Sequence, residues 1–422
     1  MNKLLLFCSL SAMVLLVGCQ DGYPIQCVDE QEEMTLSSSE QRAVNEAIGF
    51  AQCLSKKNRA YYGHETEVQS VHAWLAKDMA KYTRSASIAN SIDTLLYIVN
   101  FANNRGYALV AENENYAQVV AFIENGNLTP SDSLNPGMEY FLHGLTDAVL
   151  PDTAISNPPS PFFPPLFDSI PIAVYEPDWV VDTLYAPILT TKWGQGSPFN
   201  DFCFNSDSVI CVAGCVAIAL GQIFSAHCWP NAYGGHVYSW NDILAEGGVP
   251  VSNVGRTSVA HLIHDIGLLV YMNYGPSSSG ASFQDVPYCF NAFGYNYNVI
   301  NSYDFATCIN DLAYNKPVYI RGTGNNTGSG HAWVIDGALV RHDPDLYGYD
   351  SQGNRIYVYQ RFVHCNWGWN GNANGYFHSG VFSVMNRVLD DNGNPATNNY
   401  SINRDYSYNN KMYYNISKIQ NQ

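Results

Sequence analysis

An α+β architecture in two parts, a small domain and a larger one joined by a proline-rich connector, is predicted by three observations. Short apolar runs of strand character, broken by Asn- and Gly-rich turns, sit beside helix-like stretches. Pro151, Pro158, Pro159, Pro161, Pro164, Pro165, Pro171 and Pro177 fall in one stretch, which can sustain neither a helix nor a central strand and reads as an extended connector. Beyond it the texture becomes rich in Gly, Trp and Tyr, and this part holds most of the cysteines and all but three of the 11 histidines.

The 422 residues suit two or three domains of about 150 residues each. With 46% hydrophobic and 14% charged residues the chain has ample material for a core and is not a disordered chain. Lys+Arg 20 against Asp+Glu 37 gives a net charge of −17. No basic patch offsets it, so nucleic acid is excluded as a partner.

The elements follow in order. Lys3 precedes an apolar run over 4–17 that is too short to span a bilayer as a mature helix, so residues 1–18 read as a secretory signal. The run ends Leu16-Val17-Gly18-Cys19, which resembles a bacterial lipobox; this implies lipidation of Cys19 and a membrane partner through that anchor. It places the protein in the cell envelope, at the outer membrane or cell surface, with release after processing; the alternative is an ordinary signal peptide with a coincidental cysteine. Ser37 to Ser39 with Glu40 mark a helix start, and Ala43, Ala47, Ile48 and Ala51 recur near helical spacing as far as Leu54. Leu95-Leu96-Tyr97-Ile98-Val99, Tyr107-Ala108-Leu109-Val110 and Val119-Val120-Ala121-Phe122-Ile123 read as strands. Residues 19–150 thus form a small α+β domain, 151–185 the connector, and 186–422 the second domain.

Cys27, Cys53, Cys203, Cys211, Cys228, Cys289, Cys308 and Cys365 form no Cys-x-x-Cys pair, so a structural zinc site is not expected. Cys203 with Cys211 is the closest plausible disulfide, and buried free thiols are the equal alternative. His364 with Cys365 and His227 with Cys228 lack a second matched pair for a metal.

Four segments carry chemistry. Gly214-Cys215-Val216-Ala217 opens a stretch that reads as a buried helix. There Cys215 sits among unpaired N–H groups that favour thiolate and lower its pKa, although a lone Cys is often only a small core residue. A glycine-rich loop runs into Gly330-His331-Ala332-Trp333, which sets His331 at the end of a strand as a candidate general base. Asp336, five residues on, lies on the opposite strand face and is a poor partner for it. Asn366-Trp367-Gly368-Trp369 ends another strand: Asn366 can accept the imidazole N–H and Trp367 can cover that bond. Gln195, in Trp193-Gly194-Gln195, precedes Cys215 by twenty residues. Its amide with the Cys215 N–H could make a two-donor oxyanion hole.

These segments in this order, with His227-Cys228-Trp229-Pro230 and Met272-Asn273-Tyr274-Gly275-Pro276-Ser277-Ser278-Ser279-Gly280, resemble the streptopain family of cysteine peptidases over residues 189–390. The resemblance implies a papain-like fold, with a helical part and an antiparallel sheet, and a cysteine endopeptidase made as an exported zymogen. Cys215 would be the nucleophile, His331 the base, Gln195 an oxyanion donor, and Asn366 with Trp367 the imidazole support. Ser278, Ser279, Gly280 and Gly330 would line the cleft and pair with substrate backbone. The small domain, through Gly106-Tyr107-Ala108-Leu109-Val110-Ala111-Glu112, resembles the family's inhibitory propeptide. Protein substrates and the chain's own propeptide are the implied partners, and neither a metal nor an organic cofactor is required. A transglutaminase-like acyl transferase, which would usually orient its His with Asp, and an inactive binding or inhibitor protein on the same scaffold are the alternatives.

Overall fold

The structure is a computed structural model that describes residues 36–57, 67–75, 77–79, 94–113, 116–149, 178–323, 330–349, 352–382 and 410–419. The signal, Cys19, Cys27, the connector prolines and the glycine loop over 324–329 lie outside them.

Helix α1 (Ser38–Lys57) opens where expected. The Glu40 N–H donates to Ser37 Oγ at 3.3 Å while the Ser37 N–H donates to the Glu40 carboxylate at 2.8 Å, a reciprocal cap for two otherwise orphaned donors. Ala43, Val44, Ala47, Phe50 and Leu54 recur at helical spacing and are buried on one face. Four antiparallel strands follow: β1 (Val68–Leu75), β2 (Thr94–Phe101), β3 (Tyr107–Asn113) and β4 (Tyr116–Ile123). Both faces of β2 and β3 are buried. Leu96, Ile98 and Leu109 point into one core, and Tyr97, Val99, Ala108 and Val110 into the other, against α1. Helix α2 (Pro136–Val149) starts at Asn135, whose side-chain oxygen accepts the Met138 N–H at 2.9 Å.

The second part begins with β5 (Val180–Tyr185), so the final stretch assigned to the connector is a strand, held by antiparallel pairing with β10. Then come α3 (Cys215–His227), the small hairpin β6 (Ala232–Tyr233) and β7 (His236–Val237), α4 (Trp240–Ile243), α5 (Asn253–Leu269), α6 (Val286–Phe293), β8 (Tyr295–Ile300) and α7 (Phe305–Ala313). Strands β9 (Val318–Thr323), β10 (Gly330–Tyr349), β11 (Arg355–Asn366), β12 (Gly375–His378) and β13 (Lys411–Lys418) complete it.

The two parts do not have separate sheets. One sheet of 11 strands runs β1-β2-β3-β4-β12-β11-β10-β9-β13-β8, with β5 added on β10. The joint is three antiparallel pairs, Ile123 with Gly375, Phe122 with Tyr376 and Ala121 with Phe377. Gly375 is required there, because a Cβ would collide with the Phe122 carbonyl. Across the same seam, Met138, Phe141, Leu142 and Leu145 of α2 share a core with Trp333, Trp367 and Phe377 of the second part. The opposite face of β9 and β10 packs on α3 through Tyr319, Ala332 and Val334.

A second tie crosses the seam. Glu46 of α1 is paired with Arg341 of β10, the two side chains being 2% and 0% exposed. Glu46 also accepts the Trp179 indole N–H at 2.8 Å and the Val119 N–H at 3.2 Å. Arg341 lies 3.8 Å over the Trp179 ring and donates to Gln360 at 2.9 Å. A charge this deep persists only with such partners. Nearby, His364 bridges Asp336 at 2.6 Å and Glu124, just beyond β4, at 3.3 Å. Burial works against its charge, but the two carboxylates prevail and hold its pKa up at about 10.

Candidate active site

Helix α3 places Cys215 at its first position, as the sequence predicts, and residues Val216 to Ser225 behind it are buried. Gly214 has φ 87°, and a Cβ there would meet Met272 and Ser279, so only glycine lets the chain turn into the helix so tightly packed. The thiol does not have the expected lowered pKa. Burial pushes it above its usual value near 9, against hydrogen bonds from the Ala332, Val216 and Cys215 N–H groups and the attraction of Arg321. The helix terminus supplies donors, but desolvation outweighs them.

His331 stands second in β10 and is 5% exposed. Its Nε2 lies 3.0 Å from the Trp367 carbonyl oxygen, and its ring stacks on Trp333 with an interplanar angle of 11°. Burial drives its pKa down to about 4 despite that bond, so the imidazole is neutral at pH 7. Among the described residues no hydrogen bond joins Cys215 to His331. The imidazole is instead held among the Trp333 and Trp367 rings and by the Trp367 carbonyl, while the Ala332 N–H meets the thiol.

Asn366 departs from its expected role. Its side-chain oxygen accepts from Gln222 Nε2 at 3.1 Å and from the Gly368 N–H at 3.2 Å, and its amide donates to the Thr191 carbonyl at 2.8 Å. The imidazole is held instead by the main chain of Trp367, whose indole is fully buried and whose ring centroid lies 6.1 Å from that of His331. Gln222, two turns after Cys215 on the same helix, also accepts the Trp193 N–H at 3.4 Å. It therefore links α3, the Gln195 segment and the Asn366 turn. Sequence reading missed it; its spacing of seven from Cys215 and its place in an otherwise apolar helix were the available signal.

Gln195 is half-buried, and its carbonyl accepts the Ala213 N–H at 2.9 Å, which sets it beside the start of α3. Its side-chain amide bonds no other described residue and is free to donate. In the predicted cleft-lining loop, Ser278 and Gly280 are exposed, but Ser279 is buried and its hydroxyl donates to the Val212 carbonyl at 2.6 Å. Ser279 thus braces the loop beneath Gly214 and is not open to substrate. Gly330, the first residue of β10, is exposed and pairs with Thr323.

The remaining cysteines resolve toward the free-thiol alternative. Cys203 and Cys211 are both free and buried although the Cys211 N–H donates to the Cys203 carbonyl at 2.8 Å. Cys53, Cys228, Cys289, Cys308 and Cys365 likewise form no disulfide.

Comparison with known proteins matches residues 193–377 to the Peptidase C10 family and residues 36–149 to the Spi protease inhibitor family. Streptopain of Streptococcus pyogenes is 33% identical over 198 residues, 39% of this chain and 44% of that protein. The thiol protease/hemagglutinin PrtT of Porphyromonas gingivalis is 22% identical over 324 residues, 68% of this chain and 34% of that one. The chain thus spans less than half the length of these curated relatives. A fragment of Prevotella intermedia prointerpain A superposes with a TM-score of 0.48 at 20% identity, covering 78% of this chain and 97% of that one. Residues 193–377, which include Cys215 and His331, are thus similar to the Peptidase C10 family and to streptopain, and they follow a region similar to the Spi protease inhibitor family.

Proposed function

We propose that the protein is a cysteine endopeptidase made as an inactive precursor, with Cys215 as nucleophile and His331 as general base. The observation that carries this reading is the meeting of three segments at one end of the sheet: the start of α3, the Gln195 loop and the first residues of β10. Cys215 thiolate adds to a peptide carbonyl, and the oxyanion takes hydrogen bonds from the Gln195 amide and the Cys215 N–H. His331, which has taken the Cys215 thiol proton to form the thiolate, gives that proton to the departing amine. It then removes a proton from the water that hydrolyses the acyl-enzyme. Asn366 with Gln222 holds the Trp367 turn, and Ser278, Gly280 and Gly330 offer main chain to the substrate, with Ser279 as the brace of that loop.

The same reading makes residues 19–150 the propeptide, 151–185 the connector and 186–422 the peptidase. Helix α2 seats Gly137 against the Trp367 ring and Tyr140 5.3 Å from the Trp333 ring, and these are the two indoles beside His331. Departure of α2 frees both indoles and lets the imidazole turn toward the thiol. Protein substrates, export behind the signal over 1–18 and a lipid on Cys19 in the cell envelope belong to this proposal and rest on sequence pattern alone.

The connector offers the test. A proline-punctuated segment that can sustain neither a helix nor a central strand is a natural site for cutting, so purified wild type should shorten between residues 150 and 178 on incubation while Cys215→Ala stays intact. Equal shortening of both proteins would overturn self-processing by Cys215.

A further inference from the structure

On the α3 side of the sheet, two cations stand on neighbouring strands with no acid paired to either among the described residues. Arg321 of β9 lies directly opposite Ala332 of β10 on one flank and Lys411 of β13 on the other. Residues directly opposite in a ladder share a face, so both cations share the face of Ala332, whose N–H bonds the Cys215 sulfur. The Arg321 guanidinium passes beside Gly330, where an added Cβ would lie 3.4 Å from its Nε. Lys411 Nζ stands 5.7 Å from the Phe283 ring centroid. Both side chains are half-buried, and among the described residues neither forms an ion pair. Like charges facing each other across a ladder are unfavourable.

A third group points the same way. Tyr319, two residues before Arg321 and on the same face, is fully buried, and among the described residues its hydroxyl has no hydrogen-bond partner. An orphaned buried donor beside two unneutralised cations is the complement of an acidic side chain.

We propose that Arg321 and Lys411, with the Tyr319 hydroxyl beneath them, form a subsite that takes the carboxylate of a Glu or Asp side chain next to the bond to be cut. This deepens the peptidase reading and rests on it. Gly330 supplies the room, since any side chain there would crowd the guanidinium. A site built to bond a charged group rejects the analogue that lacks the charge, because its own buried groups are then left unpaired.

The test uses the processed enzyme and pairs of fluorogenic peptides that differ only by Glu or Gln, placed in turn at each of the four residues on either side of the cut. Wild type should prefer Glu over Gln at one position by roughly ten-fold or more in kcat/KM, and the preference should shrink as salt is raised. In the Arg321→Gln, Lys411→Gln double variant the ratio at that position should fall to near one. Because both peptides meet the same preparation, the ratio is independent of the folded fraction. Wild-type hydrolysis with no Glu preference at any position, or a preference that survives in the double variant, would overturn the subsite alone. Hydrolysis that Cys215→Ala does not abolish would overturn the peptidase reading and the subsite with it.

Discussion

Replacing Cys215 by Ala in the chain beginning at Asp178 should lower kcat/KM for a peptide substrate by at least about 10⁴-fold. In the proposed mechanism Cys215, at the start of α3, is the nucleophile, and no neighbouring residue is placed to stand in for it: Ser279 is bound to the Val212 carbonyl, and Cys211 and Cys203 are buried. His331→Ala should cost a similar factor, because the thiolate and the proton for the leaving amine depend on the same imidazole. The double variant should be little worse than either single one, since groups acting as a unit are not additive. Steady-state hydrolysis normalised by circular dichroism would check this, and a loss of less than ten-fold in Cys215→Ala would remove Cys215 from the mechanism.

Glu46→Ala, made in the Cys215→Ala chain to prevent cutting, should destabilise the intact protein by about 3–5 kcal/mol. The change leaves the Arg341 guanidinium in place at 0% exposure without its carboxylate and strips a partner from the Trp179 indole and the Val119 N–H. Glu46→Gln should cost less, because it retains an oxygen for one of those donors. The pair ties α1 to β10 across the β4–β12 seam, which has only three residue pairs of its own. The loss should therefore appear first as separation of the α1–β4 part from the rest. Urea unfolding followed by near-ultraviolet signal from Trp179 and Trp333 would read it; a change below about 1 kcal/mol would mean that the pair contributes nothing to docking.

Much of this was legible in the sequence. The Ser37 and Glu40 cap, the apolar spacing of α1, the strands over 94–123 and the buried run after Cys215 each carry local signals, and each forms where those signals fall. Four features carry no such signal. Strand β5 follows the prolines and exists because β10 offers it an edge. Joining of the two sheets is done by main-chain groups of β4 and β12, which any sequence possesses. The Glu46–Arg341 pair unites residues 295 apart, and nothing beside either one announces the other. The fourth is the state of the site. Residue types and spacing named Cys215, His331, Gln195, Asn366 and Trp367, and the chain does gather them. Sequence could not say that Ala332 would face the thiol while His331 rests on the Trp367 carbonyl, because strand register and the α2 packing decide that.

The central claim is that the intact chain holds its thiol and imidazole apart, and the pH profile of Cys215 alkylation by iodoacetamide tests it most directly. In the intact chain His331 is neutral above about pH 5, its pKa being near 4, and burial holds the Cys215 thiol above its usual value, so that it stays protonated through neutrality. The modification rate should therefore climb about ten-fold per pH unit through neutrality, with no plateau on the acid side. In the chain beginning at Asp178, a thiolate paired with a protonated imidazole should give a flat plateau between about pH 5 and 8. At pH 5.5 that chain should react about ten-fold faster, after allowing for the weaker nucleophilicity of a low-pKa thiolate. The same plateau in the intact chain would contradict the claim, because the pair would already be formed with the α1–α2 part in place.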